Sequence, residues 1–244
     1  PIEEIGAIAR KYKVRFHTDS VQAVGRIPVD VQKANVDLAV ISGHKLGAPK
    51  GVGAIYIRRG TRMSQFMHGG HQERHRRAGT HNVAGIVGLG KACELSGQSM
   101  DLDVPRVRKL RDRLEKGIME AIPEVKLNGH PEKRLPNTLN VSFAYIEGES
   151  ILLNFDMKGI AASSGSACTS GSLEPSHVMC AMCVDVVLAH SSTRFSLGPD
   201  NTEEDVDFIL QELPPIVERL REMSPLFNND ARMTCKQCKV VCRA

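Results

Sequence analysis

Apolar positions along the chain switch between two periods, and the switches predict its elements. The opening "PIEEIGAIARKYKV" places Ile2, Ile5 and Ile8 three apart among charged residues, the spacing of an amphipathic helix. "VRFHTD", "VDLAVISGHK" and "GAIYIRR" are short apolar runs with polar residues at or beyond their carboxyl ends, which read as buried strands. Strands of this kind alternating with helical patterns predict an α/β unit with a mainly parallel sheet, helices on its faces and ligands at the strands' carboxyl ends. From "HNVAGIVGLGKACELS" the chain reads as helical, and "VPRVRKLRDRLEKGIMEAI" predicts a long amphipathic helix. A strand "TLNVSF", a helix "GESILLNFDMKG", a small-residue loop, a strand "STRFSLG" and a closing helix "TEEDVDFILQELPPIVERLREM" follow. Pro214 and Pro215 are expected to kink or interrupt that last helix. The predicted domains are residues 1–101, a partial large α/β domain; 102–228, a smaller α+β domain; and 229–244, a tail without a core pattern.

Composition narrows the class. Of the 244 residues 41% are hydrophobic and 25% charged, which suits a soluble globular chain with one or two cores. The formal charge of +4 is spread among interleaved acidic and basic residues, so a small-molecule substrate is expected and direct nucleic-acid binding is not. No apolar run approaches the roughly 18 residues of a membrane span, and no targeting segment is visible. The seven cysteines, Cys168, Cys180 and Cys183 among them, show no disulfide framework, which points to a reducing compartment.

Candidate chemistry sits in loops. In "SSGSACTSGS" Cys168 is surrounded by small and hydroxyl-bearing residues, with no large side chain to bury it, so its thiol is expected to be reachable. "SGHKLGAPKGVG" puts Lys45 at the exit of a buried strand, followed by glycines that permit tight turning. Alone, such a lysine is most often a solvated loop charge, and the P-loop order is absent. "HTDSVQAVG" closes another predicted strand with Asp19 and Gln22, able to meet Lys45 at the same sheet edge. Alone, Asp19 would be a turn or cap residue, His17 and His44 structural, and Arg194 half of a surface ion pair. Together they have a chemical logic, because a Schiff-base lysine and a carboxylate that protonates a pyridine nitrogen are what pyridoxal phosphate requires as an electron sink.

With "HTDSVQAVGRIPVD", "SGHK", "GAPKGVGAIYIRRG", "RRAGT", "SSGSACTS" and "HSSTRFSLG" in this order and spacing, the chain resembles a cysteine desulfurase over residues 1 to about 226. That resemblance implies a pyridoxal-phosphate-dependent transferase of fold type I in the class V aminotransferase family. Such enzymes remove sulfur from L-cysteine, leave L-alanine and carry the sulfur as a persulfide for iron–sulfur cluster assembly or tRNA thiolation. It implies that Lys45 is the Schiff-base lysine, that Asp19 pairs with the pyridine nitrogen, and that Gln22 contacts the phenolic oxygen. Ser42 and His44 would hold the phosphate, with His44 also counted among the catalytic residues. Thr80 would reach the cofactor phosphate of a neighbouring subunit in a homodimer. Arg194 would pair with the substrate carboxylate, and Cys168 would accept the sulfur. Implied partners are L-cysteine and an iron–sulfur scaffold or other sulfur-acceptor protein, with no membrane, in the cytoplasm or mitochondrial matrix.

The chain also departs from the family pattern. Relative to the family it begins late, without the segments that supply a phosphate loop, a ring-stacking histidine and an asparagine near the phenolic oxygen. A fragment, or a site completed by another polypeptide, is therefore expected, with apolar surface uncovered and weak cofactor affinity. "HGGHQER" carries His71 where a third glycine is common. His68, His71, His75 and His81 are irregularly spaced and read as a polar loop near a dimer interface. Cys235, Cys238 and Cys242 form a CxxCxxxC tail that could bind zinc or a cluster; three thiolates are one short of a closed site, so no metal is assigned. Selenocysteine lyase, and an inactive fragment serving as a thiol- or metal-binding module, are the alternative readings.

Overall fold

The computed structural model describes residues 1–164 and 176–228. They form two compact units, Pro1–Val104 and the described residues from Pro105 onward.

The first unit opens with helix α1, Ile2–Lys11, with Glu3 and Glu4 in its first turn and Arg10 and Lys11 in its last, both favourable to the helix dipole. Gly6 is its buried contact: a Cβ there would lie 1.9 Å from the Ala34 carbonyl oxygen, so only glycine permits this approach. Strands β1 (His17–Asp19), β2 (Leu38–Ser42) and β3 (Gly53–Ile57) form one sheet in that order. β1 runs parallel to β2, with Asp19 opposite Val40. β3 runs antiparallel to β2, with Ser42 opposite Gly53. The sheet is therefore mixed, where the apolar runs alone suggested mainly parallel strands. A parallel return needs a crossover of about a dozen residues or more, and the connection over residues 43–52 is a compact turn that reverses the chain. The core here is small, built on Ala34, Val36 and Ala39 with Phe16, Val31 and Tyr56 against them. Ile2, Ile5, Ile8, Tyr12 and Val14 are exposed. A hollow of about 470 Å³ is lined by residues that include Ser20, Ala39, Ile41, Tyr56 and Met100.

Helix α2, Val83–Ala121, is a single 39-residue helix that runs through Pro105, where the hydropathy pattern had suggested separate helical stretches. Proline removes a single N–H donor there, and the residues on either side keep the helical bonding. Its second half is the amphipathic stretch expected: Val107, Leu110, Leu114 and Ile118 are buried at spacings of three and four, and Ile122 just beyond the helix continues the series.

The second unit holds an antiparallel sheet, order β4-β5-β7-β6, from β4 (Val125–Leu127), β5 (Thr138–Phe143), β6 (Ser163–Ser164) and β7 (Ser192–Ser196). Helices α3 (Gly148–Asp156) and α6 (Glu203–Glu222) pack with it, and the common core includes Phe143, Phe155, Leu114, Leu139, Ile151 and Leu213. Short helices α4 (His177–Ala181), α5 (Val186–His190) and α7 (Pro225–Asn228) complete the unit. β4, α4 and α5 had no clear sequence signature, because elements of three to five residues are too short to display a period. α6 continues past Pro214 and Pro215. The two missing donors are outweighed by the burial of Val206, Leu213, Ile216 and Val217, and by a capping box in which Thr202 and Asp205 satisfy each other's backbone N–H groups. Arg221, near the end of α6, is buried and donates to the carbonyl oxygens of Ala144, Pro123 and Glu124; burial lowers its pKa from the ordinary arginine value.

Candidate active site

In the first unit the carboxyl ends of the parallel pair β1 and β2 meet. Asp19 is the last residue of β1, and the pairing continues one residue further, where Ser20 N–H donates to the Val40 carbonyl at 3.0 Å. Thr18 and Ser20 are buried and Asp19 exposed, as strand alternation requires, so Asp19 lies on the opposite face from these two. Its Oδ1 accepts the Val21 N–H at 2.9 Å, an Asx turn that starts the coil of residues 21–26 carrying Gln22.

β2 ends at Ser42 and passes directly into a 3-10 turn, Gly43–Leu46, that holds His44 and Lys45. Two features set this turn. Gly43 is buried, with its N–H donating to the Val52 carbonyl at 2.9 Å, and an added Cβ would stand 2.8 Å from Val52 Cγ1. Gly47 closes the turn in the left-handed region at φ 82°, where a side chain is disfavoured. Within the turn Ser42 Oγ and His44 Nδ1 are hydrogen-bonded at 2.8 Å, so hydroxyl and imidazole form one polar pair. Lys45 is half-buried, and its carbonyl accepts from Arg26 Nη2 at 3.3 Å.

That last bond identifies two residues that the motif reading passed over. The coil carrying Gln22 is strapped to the Lys45 turn by Arg26 and by Gly25, whose φ is 76° and whose added Cβ would meet Leu46 Cδ2 at 2.6 Å. Burial lowers the Arg26 pKa from the ordinary arginine value. Both residues stand in the motif "HTDSVQAVGR", but only the tertiary contact gives them a purpose.

Thr80 is exposed and follows a loop braced by Arg77, which donates to the carbonyls of Ala78 and Gly79 at 2.9 and 2.7 Å and bonds His81 Nδ1 at 3.1 Å. Glu73, Arg74 and His75 take positive φ in succession, and the His71 and His75 rings lie 4.4 Å apart. None of Asp19, Ser42, His44 or Lys45 lines the apolar hollow of this unit, so the polar edge and the hollow are separate features.

In the second unit Arg194 is half-buried on β7, paired in register with Asn140 of β5 on one side and Ser163 of β6 on the other. Cys168 lies outside the described residues, four positions beyond the end of β6. Cys235, Cys238 and Cys242 also lie outside them. Among the described residues no group of three or more His, Cys, Asp or Glu side chains is arranged to hold a metal, and no helix is long and apolar enough to cross a membrane.

A mixed sheet with a lysine turn and a carboxylate at the edge of its parallel strands, followed by an antiparallel α+β unit, defines an α/β architecture that solved structures share. A NifS-like protein from Rickettsia africae superposes with a TM-score of 0.82 at 34% identity, over 89% of this chain and 57% of that one. A model described as aminotransferase class-V matches residues 1–209, and the chain belongs to this family. A cysteine desulfurase from Gluconacetobacter diazotrophicus is 54% identical over 231 residues, and cysteine desulfurase NifS from Azotobacter vinelandii 53% identical over 230. The alignments take in 95% and 94% of this chain but 58% and 57% of those relatives, so the chain spans under two thirds of their length.

Proposed function

We propose that this chain is a cysteine desulfurase, acting with pyridoxal phosphate to convert L-cysteine to L-alanine and a persulfide on Cys168. The observation that carries the reading is the placement of Asp19 and the Ser42–Lys45 segment at the carboxyl ends of the paired parallel strands β1 and β2, together with the similarity to named desulfurases. The donor set there fits the cofactor: a primary amine for its aldehyde, a carboxylate for its ring nitrogen, an amide for its phenolic oxygen, and a hydroxyl–imidazole pair for its phosphate.

When bound, pyridoxal phosphate supplies a conjugated ring that withdraws electrons from the substrate's α-carbon. Lys45 would hold the cofactor through its amine and, when free, would serve as the base that moves the substrate's α proton. Asp19 would keep a proton on the ring nitrogen, Gln22 would donate to the phenolic oxygen, and Ser42 and His44 would hold the phosphate. Thr80 serves the phosphate of a second protomer's site, which makes the active form a homodimer. Arg194 orients L-cysteine through a bidentate pair with its carboxylate. The Cys168 thiolate attacks the substrate sulfur; the new S–S bond forms as the substrate C–S bond breaks, and the carbon that keeps the electron pair takes up a proton as alanine is completed. The persulfide then passes to an acceptor, such as an iron–sulfur scaffold.

The test measures alanine and protein-bound sulfane sulfur formed from L-cysteine with cofactor supplied. Cys168→Ala is expected to abolish persulfide while leaving cofactor retention intact, and Lys45→Ala to lose both products and cofactor retention. Persulfide formation that survives Cys168→Ala overturns the assignment of the sulfur acceptor. Failure of the full chain to form either product overturns the enzymatic reading in favour of a thiol-binding module.

A further inference from the structure

We propose that Cys180 and Cys183 form a dithiol site that closes to a reversible disulfide by exchange with low-molecular-weight disulfides, a function independent of the desulfurase chemistry. The two are a C-x-x-C pair at the end of α4, and both are exposed. Their backbone is a closed turn: Cys183 N–H donates to the Cys180 carbonyl at 2.9 Å, and Met182 between them has φ −83° and ψ 7°, the third-position conformation of a type I turn. A turn of that kind keeps its end Cα atoms within about 7 Å, close to the range that a disulfide spans.

A second bond makes the turn rigid. Val184 N–H donates to the Met179 carbonyl at 3.0 Å, so the helix ends in a Schellman motif, with its accompanying apolar pair Met179 and Val184 buried in one small cluster with Ala189. Glycine is the usual occupant of the left-handed position in that motif, yet Cys183 occupies it at φ 54°. A β-substituted residue is disfavoured there, so the thiol sits at a position where local backbone preference opposes it. The burial of Met179 and Val184 holds the strained residue in place and keeps it at the end of the same turn as Cys180.

The exchange balances without a further reactant. One cysteine, as thiolate, attacks a sulfur of the small disulfide; its S–S bond breaks and one thiolate leaves. The second cysteine attacks the mixed disulfide, forming the Cys180–Cys183 bond and expelling the second small thiolate. The pair loses two electrons and two protons, and the oxidant ends as two thiols.

The probe is oxidised glutathione applied to the folded full chain bearing Cys168→Ser, in which tryptic peptide 159–194 contains only these two cysteines. The peptide is expected to lose two hydrogen atoms, to resist alkylation at both cysteines, and to regain both thiols with dithiothreitol. Cys183→Ser is expected to stop instead at a glutathione adduct on Cys180. Cys183→Gly is expected to raise the melting temperature, because it relieves the left-handed strain. Persistent glutathione adducts in the chain with both cysteines, full alkylation after treatment, or bridging of either cysteine to another part of the chain overturns the proposal. A lowered melting temperature in Cys183→Gly overturns the strained turn on which it rests.

Discussion

Gly43 shows how a single residue sets the candidate site. It is buried at the start of the turn that carries His44 and Lys45, and a methyl group there would approach both Val52 Cγ1 at 2.8 Å and the Val52 carbonyl oxygen at 3.0 Å. The carbonyl belongs to backbone that also accepts the Gly43 N–H, so it cannot withdraw without losing a hydrogen bond. Gly43→Ala is therefore expected to destabilise the first unit by about 1–3 kcal/mol, the usual cost of overpacking, and to displace Lys45. Thermal denaturation and cofactor retention, measured together, check it; unchanged values in both would contradict the packing described. Gly25 and Arg26 act on the same turn from the segment after the other strand, yet in the sequence they are merely a glycine and an arginine within a motif that gives them no role.

Among the elements, α6 carries a titratable cap at its amino end in addition to the core burial along its length. Asp205 accepts from the Asn201 side chain and from Thr202 N–H, and these bonds, Asn201 first, hold its carboxyl below the ordinary aspartate range. A carboxyl whose folded pKa is depressed stabilises the folded state above its unfolded pKa and loses that contribution as pH falls through the folded value. The melting temperature of the second unit should thus be highest above about pH 4 and fall below it, and Asp205→Asn should flatten this acid slope. Denaturation followed from neutral pH into acid tests the sign; an identical slope in the variant would count against the cap as the source. The closing helix itself was legible in "TEEDVDFILQELPPIVERLREM", whereas its capping box and its continuity across Pro214 and Pro215 were not. Local preference opposes those prolines, and the helix persists because core burial on either side exceeds the loss of two N–H donors.

For the whole molecule, the two units differ in the size of their cores. Among the described residues the first buries a cluster of three alanine and valine side chains, while the second gathers Phe143, Phe155, Leu114, Ile118 and their neighbours into one continuous core. Local stability follows buried apolar area, so the first unit should open at lower denaturant and exchange its amide hydrogens sooner. Leu114 is fully buried, and Leu114→Ala should cost about 2–5 kcal/mol in the second unit's transition. Hydrogen exchange resolved by peptide reads both expectations, and slower exchange in residues 1–104 than in the second unit would reverse the ranking.

Sequence alone determined the type and place of the longer elements, because amphipathic helices and apolar strands write their periods into the chain, and it determined the family through motifs whose order and spacing are specific. It also supplied Lys45 and Asp19 as candidates at the ends of apolar strands, and Ser42 and His44 through the family resemblance. The direction of β3, the joining of the Ser42–His44 pair, the strap from Gly25 and Arg26 to the lysine turn, and the left-handed placement of Cys183 were decided only in three dimensions. The Ser42–His44 bond is a local side-chain geometry set within the turn, while the others depend on contacts between residues apart in the chain or on a backbone angle that packing imposes against local preference; none of these leaves a period or composition to read.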